Sequence, residues 1–427
     1  MSGGKKVPEG RLARAARLAG LGVRTGVGFL RASGPSSEGD TLARATAETL
    51  GNLRGLAAKL GQMASYVDGI VPESHAAAYE TALAGLRSAA PRSPWTDVKR
   101  TLEDELGKPV DDVFASFDTE PLASASIGQV HAARMRDGTR VAVKVQHAGI
   151  EAAMESDLAN ASMIEGLAKM AGAGRFDPKA MLEVVRARFR EELDYLHEAS
   201  NVDHFAKVHA TDPRIVIPRV LHAVTTRRVL TTTFESGATF EDAIRADEPS
   251  RRAWANTLWR YVFRGNLVGG RFNADPHPGN YAFRPDGVVV FFDHGCIQTV
   301  DDAAREAAHA LHLAALDGDE GRFRDRVPAL VGSKPGRLED AAVAYMKVAM
   351  QPLLHDRYRI TRPYTADLLA RMKTMAKAAK DAPKEEFFSM RPEQLFMNRL
   401  QFGFYSVLAR LDVEGEYRAA ERTFLAP

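Results

Sequence analysis

The stretch Asn273-Ala274-Asp275-Pro276-His277-Pro278-Gly279-Asn280 is the part of the chain that decides its fold. It places an acid, Asp275, five residues before an amide, Asn280. Thirteen residues after that amide, an apolar strand-like run ends in Asp293-His294-Gly295. Carboxylate and amide oxygens are hard ligands of the kind that Mg²⁺ prefers. Each piece alone could be a plain turn or a loop cap, but the three positions together favour a metal and phosphate site.

Two strand-like segments lie upstream of this stretch. Ile127–Met135 and Arg140–Gln146 flank Asp137-Gly138, a pair of residues typical of a hairpin turn. The second strand, Val-Ala-Val-Lys-Val, is apolar except for Lys144. A lysine in this position either lies at a sheet edge or holds phosphate oxygens.

The same order of residues is typical of protein kinases. In their catalytic loop an Asp accepts or orients the acceptor proton, an Asn five residues later holds a metal, and a second Asp binds metal at the start of a later triplet. A strand lysine holds the α and β phosphates and pairs with a helix glutamate. The acidic segment Glu191–Glu198 offers candidates for that glutamate, and Asp194 and Glu198 share a helix face. A charged helix is, however, more often a solvated surface.

A kinase has its glycine-rich phosphate loop just before the hairpin. Here the segment Pro121–His131 is rich in alanine and serine and has a single glycine. Small residues still allow backbone N–H groups to approach phosphate, with less freedom than glycine gives. The candidate phosphate-binding residues are Ala123, Ser124, Ala125, Ser126 and Gly128.

The rest of the sequence is mainly helical. Helices are predicted over residues 41–67 and 151–210, and two further strands, Ile215–Val220 and Val229–Phe234, flank a turn at Thr225–Arg228. The predicted fold class is therefore α+β, a protein-kinase-like bilobal fold with an N-terminal helical extension. The predicted segments are a basic flexible segment (1–38), a helical extension (39–110), an N-lobe with a helical insert (111–237) and a helical C-lobe (238–427).

Composition excludes several other classes of protein. The 427 residues are 45% hydrophobic and 26% charged, which is typical of globular proteins. The one cysteine, Cys296, cannot form a disulfide within the chain, so a reducing, cytoplasmic environment is expected. A net charge of +2 gives no reason to expect nucleic-acid binding. No apolar run reaches the length of a membrane span.

Residues 1–36 contain seven basic residues and one acidic residue. The simplest interpretation is a solvated basic tail. The alternatives are peripheral contact with anionic lipid and an organelle transit peptide.

Four motifs together make the chain resemble the UbiB/AarF/ADCK family of atypical kinase-like proteins, from about residue 41 to the end. The motifs are Lys59-Leu60-Gly61-Gln62 (the family's KxGQ), the alanine-rich loop Ala123–Gln129, Glu192-Leu193-Asp194 (its ExD) and Ala274–Asn280 (its ADPHPGN). An ordinary kinase would lack the first of these.

The resemblance implies a role for each matching residue. Lys144 becomes the phosphate lysine with Glu198 as its helix partner, and Asp275 becomes the catalytic-loop acid. Asn280 and Asp293 become the ligands of Mg²⁺, with ATP as the nucleotide. Lys59 and Gln62 become regulatory residues of an extension that folds over the active site, with Glu192 and Asp194 facing them.

The implied function is an ATP-binding, Mg²⁺-dependent kinase or ATPase that supports isoprenoid-quinone biosynthesis or lipid homeostasis. Quinone precursors or other lipids are the implied partners. Since the extension would fill the groove for a peptide, a small-molecule kinase or ATPase is favoured over a protein kinase acting in trans. The alternatives are an ordinary phosphotransferase acting on a small alcohol or a protein, and a pseudokinase scaffold that only senses ATP.

The chain departs from the family pattern at several positions. Asn273 stands where many members have His, and His294 stands where Phe is usual, which removes an apolar packing element. Thr231-Thr232-Thr233 replaces the Met-Glu that many members carry at the adenine hinge.

Overall fold

The computed structural model describes residues 92–125, 127–158, 190–331, 336–381 and 392–425. They form two compact units. The N-terminal unit contains the described residues up to His197 together with Leu221–Phe234, and the C-terminal unit contains Glu198–Val220 and the described residues from Glu235 onward. The helix predicted over 41–67 lies outside the described residues.

The described elements alternate between short strands and helices in the first half of the chain and are mainly helical in the second. In chain order they are α1 (Trp95–Leu106), α2 (Val110–Val113), β1 (Phe114–Phe117), β2 (Ala123–Ser124), β3 (Gly128–Met135), β4 (Arg140–Gln146), α3 (Ile150–Leu158), α4 (Tyr195–His209), β5 (Ile215–Val216), a 3₁₀ turn (His222–Val224), β6 (Val229–Thr233), α5 (Phe240–Ala243), α6 (Glu248–Leu267), β7 (Arg271–Asn273), a 3₁₀ turn (Pro278–Asn280), β8 (Tyr281–Phe283), a 3₁₀ turn (Pro285–Gly287), β9 (Val289–Phe291), β10 (Ile297–Thr299), α7 (Asp302–Asp317), α8 (Glu320–Val331), α9 (Arg337–Ala349), α10 (Gln351–Leu354), β11 (Tyr358–Arg359), α11 (Arg362–Asp381), α12 (Pro392–Leu411), β12 (Glu414–Gly415) and α13 (Tyr417–Arg422).

The predicted hairpin is the centre of the sheet in the N-terminal unit. Strands β3 and β4 pair antiparallel from Gly128 opposite Gln146 to Arg134 opposite Arg140. Gly138 in the turn has φ +88°, a left-handed value that glycine adopts without steric cost. The sheet continues with β1 and β2 on β3, and with β6 on β4. The predicted hairpin is therefore confirmed.

One face of this sheet is covered by helix α1. Alternate residues of β4, Val141, Val143 and Val145, are fully buried and pack with Val98 and Leu102 of the helix. Burying a valine or leucine side chain stabilises a fold by about 1.5–3 kcal/mol. The apolar alternation of the strand therefore holds α1, part of the predicted 39–110 segment, against the sheet.

The predicted strand over Ile215–Val220 is confirmed in position but is shorter than predicted. Only Ile215–Val216 is a strand, and it pairs in parallel with β9 inside the C-terminal unit. Pro218 has no amide hydrogen with which to continue a ladder. The strand therefore stops before it, and the chain reaches β6 through the 3₁₀ turn at His222–Val224.

The long helix α6 is the centre of the C-terminal unit. Its Trp259 is 1% exposed and packs against Phe263, Tyr405 and Tyr417. The indole Nε1 donates to Glu421 of α13 at 2.9 Å, and this fully buried carboxylate also accepts a hydrogen bond from His312 Nδ1 at 2.9 Å. The last helix is thus fixed in the core by polar as well as aromatic contacts.

Small sheets and helices complete this unit. Strand β7 pairs with β10, β8 pairs with β9, and β11 pairs with β12, all antiparallel. An antiparallel sheet with helices in one unit, and a mainly helical second unit with small sheets, confirm the predicted α+β, kinase-like fold class. Among the described helices, none has the length and apolar character needed to cross a membrane.

Candidate functional site

Lys144 lies in the middle of β4, opposite Val130 on one side and Leu230 on the other. Its side chain is half-buried, and Nζ lies 5.0 Å from the centroid of the Tyr195 ring. An ammonium group over an aromatic ring is held by the charge distribution of the ring. The predicted phosphate lysine therefore has a fixed direction on the face of the sheet.

The loop before β3 is tightly packed at its end. A Cβ added to Gly128 would lie 2.5 Å from the carbonyl oxygen of Val145 and 2.7 Å from Tyr195 Oη, so only glycine fits. The Ala125 N–H donates to Gly128 O at 2.8 Å, which closes the loop into a turn. Ala123 and Ala125 are exposed and Ser124 is half-buried. Ser126 lies outside the described residues.

The Glu192-Leu193-Asp194 segment forms the entry to α4. Asp194 Oδ1 accepts hydrogen bonds from the N–H groups of Leu196 at 3.0 Å and His197 at 3.4 Å, which is the geometry of a helix N-cap. The Leu193 carbonyl accepts from Gln146 Nε2 at 2.8 Å. Glu192 is half-buried. Lys59 and Gln62 lie outside the described residues, so their contact with Glu192 and Asp194 stays a prediction.

The predicted catalytic loop connects β7 to β8 in the C-terminal unit. Asn280 Nδ2 donates to the Asp275 backbone carbonyl at 3.1 Å and lies 3.5 Å from its carboxylate. His277 Nδ1 accepts from the Gly279 N–H at 3.0 Å and caps the 3₁₀ turn that carries Asn280. Burial, together with the charge of Asp275, raises the pKa of the Tyr281 phenol, which therefore stays neutral. The acid and the amide are thus held within one small loop.

Asn273 joins this loop to the Asp293 triplet. Its Oδ1 accepts from the Asp275 N–H at 2.9 Å, and its Nδ2 donates to the Asp293 carbonyl at 2.6 Å. The Phe292 N–H also donates to the Asn280 carbonyl at 3.0 Å. The structure therefore brings together Asp275, Asn280 and Asp293, which lie up to 18 residues apart in the sequence.

Two carboxylates converge on Gly295. The Gly295 N–H donates to Asp293 Oδ1 at 2.9 Å. A Cβ added at Gly295 would lie 3.3 Å from that oxygen and 3.5 Å from Glu198 Oε2. Glu198 is 4% exposed. Its predicted partner, Lys144, belongs to the other unit, so the pairing of the two stays a prediction.

His294 is fully buried at the position where phenylalanine is usual in the family. Its ring packs 5.1 Å from that of Phe205, and its Nε2 lies 3.1 Å from Tyr261 Oη. Asn201 Nδ2 donates to its carbonyl at 3.2 Å. Aromatic and polar contacts thus replace the packing that phenylalanine would give.

The donor set of the loop fits a magnesium ion. Asp293 offers a carboxylate, and Asn280 offers a carboxamide oxygen while its Nδ2 is used within the loop. Mg²⁺ is bound in proteins by one or two such oxygens together with phosphates and water. In the described part of the chain, no cluster of three or more His, Cys, Asp or Glu residues could hold a metal by itself.

Sequence reasoning missed three residues that position these groups. Gln146 ends the lysine strand and His147 follows it, and both are buried, at 3% and 1% exposure. The sequence shows Asn273 only as a departure from the family pattern and does not give the bonds it makes. The available signal was a polar side chain at the end of an apolar strand. That signal gives the position of such a residue but not its partner.

A family model and several known proteins match more than half of this chain. Residues 85–326 match the family described as the ABC1 atypical kinase-like domain. The chain is 30% identical over 369 residues to atypical kinase COQ8B, mitochondrial, of Rattus norvegicus, covering 82% of this chain and 69% of that one. It is 29% identical over 278 residues to AarF domain-containing protein kinase 1 of Xenopus laevis, covering 64% of this chain and 52% of the relative.

A third relative is the chloroplastic protein ACTIVITY OF BC1 COMPLEX KINASE 3 of Arabidopsis thaliana, 32% identical over 268 residues. That match covers 61% of this chain but only 37% of the relative, so this chain spans roughly a third to a half of the length of several relatives. The solved complex of Rv3197 with erythromycin from Mycobacterium tuberculosis superposes with a TM-score of 0.61 at 25% identity, over 88% of this chain and 94% of that one. The chain belongs to the ABC1, or UbiB/AarF/ADCK, family of atypical kinase-like proteins.

Proposed function

We propose that the protein binds ATP with Mg²⁺ and acts as an atypical kinase or ATPase. The observation that carries the proposal is the Asn273 side chain, which holds the Asp275 loop and the Asp293 triplet together through two hydrogen bonds. An acid close to two oxygen ligands of this kind supports the proposal, because phosphoryl transfer uses such groups.

Each residue has a defined part in this proposal. Lys144 binds the phosphates, and the turn Ala123–Gly128 presents backbone N–H groups to them. Asp275 orients the acceptor or accepts its proton. Asn280 and Asp293 hold the metal, and Glu198 pairs with Lys144. Mg²⁺, when bound with the nucleotide, neutralises charge on the phosphate oxygens.

The proposed physiological role is support of isoprenoid-quinone biosynthesis or lipid homeostasis. Membership of the family and the similarity to COQ8B support it. The basic residues 1–36 would give peripheral contact with anionic lipid. Quinone profiles of a deletion strain, rescued with the wild type or with Asp293→Asn, test the role: equal rescue by both would contradict an ATP-dependent one.

A phosphotransferase with a different acceptor and an ATP-sensing scaffold are the alternatives. A scaffold would bind nucleotide without turnover. A phosphotransferase would transfer the γ-phosphate to an added alcohol or protein. Measuring ADP release with and without quinone-precursor mimics or anionic liposomes separates these cases from the proposed ATPase or lipid kinase.

The first prediction concerns the metal ligand Asp293. Mg-ATP at a hundredfold excess over its dissociation constant should stabilise the wild type by about 2.7 kcal/mol, because the ligand binds only the native state. Asp293→Asn should lose most of the Mg²⁺-dependent part of this stabilisation, since the amide lacks the negative charge. Thermal unfolding with ATP, with and without Mg²⁺, measures the difference.

Asp286→Asn is a matched control. Asp286 is an exposed acid in the turn between β8 and β9, and its φ of +60° is one that asparagine tolerates. This variant should keep the wild-type shift. A full Mg²⁺-dependent shift in Asp293→Asn would show that the metal ligand is misassigned.

A further inference from the structure

A buried polar network lies beneath the phosphate loop in the N-terminal unit. Its members are Ser93, Gln129, His131 and His147, none more than 8% exposed. Buried polar groups are costly unless they are hydrogen-bonded, so a satisfied network of this kind fixes the groups it contains. None of these residues belongs to the nucleotide site assigned above.

The tautomer of the neutral His147 ring follows from its two neighbours. His147 Nε2 lies 3.1 Å from the carbonyl oxygen of Ala125, which can only accept a hydrogen bond. Nε2 therefore carries the hydrogen and donates it. His147 Nδ1 is then the acceptor, and the Ser93 hydroxyl, 2.8 Å away, donates to it. Ser93 thus selects the tautomer that can hold the loop.

His147 holds the loop at a second point as well. Its backbone N–H donates to the carbonyl of Ile127 at 2.9 Å. One residue therefore binds two carbonyls of the loop, those of Ala125 and Ile127. The turn bond from Ala125 N–H to Gly128 O closes the same segment.

The direction of these carbonyls matters for phosphate binding. A trans peptide group carries its N–H antiparallel to its C=O. The Ile127 carbonyl, which accepts from the His147 N–H, therefore presents the Gly128 amide hydrogen of the same peptide group to the opposite side of the loop. Amide hydrogens presented together in a turn form an anion-binding surface.

Ser93 is itself fixed by the sheet. Gln129 Oε1 accepts from the Ser93 N–H at 2.8 Å, and Gln129 Nε2 donates to the Ser93 carbonyl at 3.4 Å. His131 completes the set, since its Nδ1 donates to the Asp118 carbonyl at 2.7 Å and its Nε2 accepts from Gln129. Burial lowers the pKa of His131, which keeps Nε2 free of a proton and able to accept.

We propose that His147 is a positioning residue that sets the phosphate loop for nucleotide, and that Ser93 orients it. Ser93 belongs to the segment 39–110 that the sequence assigns to the N-terminal extension, so this pair connects that segment to the loop. The part of the proposal that concerns nucleotide rests on the proposed ATP binding. The part that concerns loop order does not.

Two substitutions of His147 separate its two contacts. His147→Gln keeps a donor at the Nε2 position for the Ala125 carbonyl, whereas His147→Asn keeps only an acceptor near the Nδ1 position for Ser93. Loss of one hydrogen bond of about 1 kcal/mol corresponds to about a fivefold change in an equilibrium constant. His147→Asn should therefore raise amide hydrogen exchange in residues 123–128 about fivefold and weaken ATP and ADP binding about fivefold.

The other arms of the experiment use the same full-length protein. His147→Gln should stay close to wild type in both measurements. Ser93→Ala leaves the ring in place and should raise loop exchange by a smaller factor than His147→Asn. Adenosine, which has no phosphate, should bind wild type and His147→Asn equally. Val141→Ala, at the far end of β4, lowers stability without touching the loop and should leave exchange in residues 123–128 unchanged.

Each result has a definite meaning. Unchanged loop exchange in His147→Asn would overturn the positioning role, as would an equal loss of ATP and adenosine binding. If loop exchange rises in His147→Asn but the wild type binds neither ATP nor ADP, the proposed nucleotide function is wrong and the positioning role of His147 is supported. Unchanged ATP affinity in His147→Asn, with a wild type that binds ATP, would overturn the link between loop order and nucleotide.

Discussion

Asn273 shows how one side chain can determine the geometry of the candidate site. An amide has both a donor and an acceptor, and here each is used on a different part of the C-terminal unit, the donor on Asp293 and the acceptor on Asp275. Alanine could do neither. The neutral histidine ring found at this position in many family members has one donor and one acceptor, as the amide does.

The second prediction follows from this pair of bonds. Asn273→Asp keeps an acceptor for the Asp275 N–H but places a carboxylate oxygen against the Asp293 carbonyl. The lost bond and the repulsion should cost about 1–3 kcal/mol of unfolding free energy and abolish most ATP turnover. Chemical denaturation and ADP release measure the two effects. Asn273→His should keep part of the unfolding free energy and part of the ATP turnover that Asn273→Asp loses. Normal ATP turnover in Asn273→Asp would contradict the bridging role of Asn273.

At the scale of elements, the approach of α12 to the catalytic loop sets the position of that loop. A Cβ added at Gly403 of α12 would lie 2.6 Å from Cγ of Pro276, which follows Asp275. Real Cβ atoms do not approach so closely, so the helix contacts the loop only because residue 403 is glycine.

The third prediction tests this contact. Gly to Ala in a helix normally stabilises by about 1 kcal/mol, but Gly403→Ala should instead lower ATP turnover, because the methyl group pushes Pro276 and the loop away. Gly321→Ala in α8 is the control, since its added Cβ would have only an ordinary 3.5 Å contact with Asp319 Oδ1. That variant should gain stability with unchanged turnover. Equal stability and equal ATP turnover in the two variants would mean that α12 does not determine the position of the catalytic loop.

The elements also show what could be predicted from the sequence. The hairpin β3–β4 was predictable because its turn and its alternation are local. The length and the partner of strand β5 were not, because β9 lies over seventy residues away and two residues carry too little pattern. The spacing of Asp275, Asn280 and Asp293 likewise indicated a site. The positioning roles of Asn273 and His147 depend on which backbone carbonyl each side chain contacts, and the sequence alone does not determine these contacts.

At the scale of the whole molecule, the interior of the C-terminal unit makes stability depend on pH. His209 is 2% exposed and stacks against Phe205 and Tyr261. Neither of its ring nitrogens has a hydrogen-bond partner among the described residues. Burial, and secondarily the charge of Arg264, lowers its pKa to about 3, although Asp212 opposes the shift.

The sign of the effect follows from this lowered pKa. Below pH 6.5 the unfolded chain takes up a proton at this residue, whereas the folded protein does not until about pH 3. The stability contributed by neutral His209 is therefore complete above pH 6.5 and is lost progressively as the pH falls towards 3. The loss has a slope of at most about 1.4 kcal/mol per pH unit.

The fourth prediction is that His209→Phe removes this dependence. Phenylalanine keeps the stacking and has no nitrogen to protonate, so the variant should be at least as stable as wild type at pH 7. The unfolding free energy of the variant should exceed that of wild type by about 2 kcal/mol more at pH 5 than at pH 7. Denaturation followed by tryptophan fluorescence reports on the unit through Trp254 and Trp259. Parallel pH profiles of the two proteins would show that His209 titrates normally in the folded state.

The buried Glu421 has a consequence for the order in which the chain acquires its structure. Trp259 and His312 are synthesised before Glu421. The carboxylate that accepts a hydrogen bond from each of them is added more than a hundred residues after His312. A nascent chain on the ribosome therefore exposes two unpaired polar groups in an apolar surface until α13 has emerged, and such a surface is prone to association with other chains. The last helix closes the C-terminal unit, so this unit reaches its native packing only after translation has passed Leu425, whereas the N-terminal unit has all of its described residues available once Phe234 has emerged.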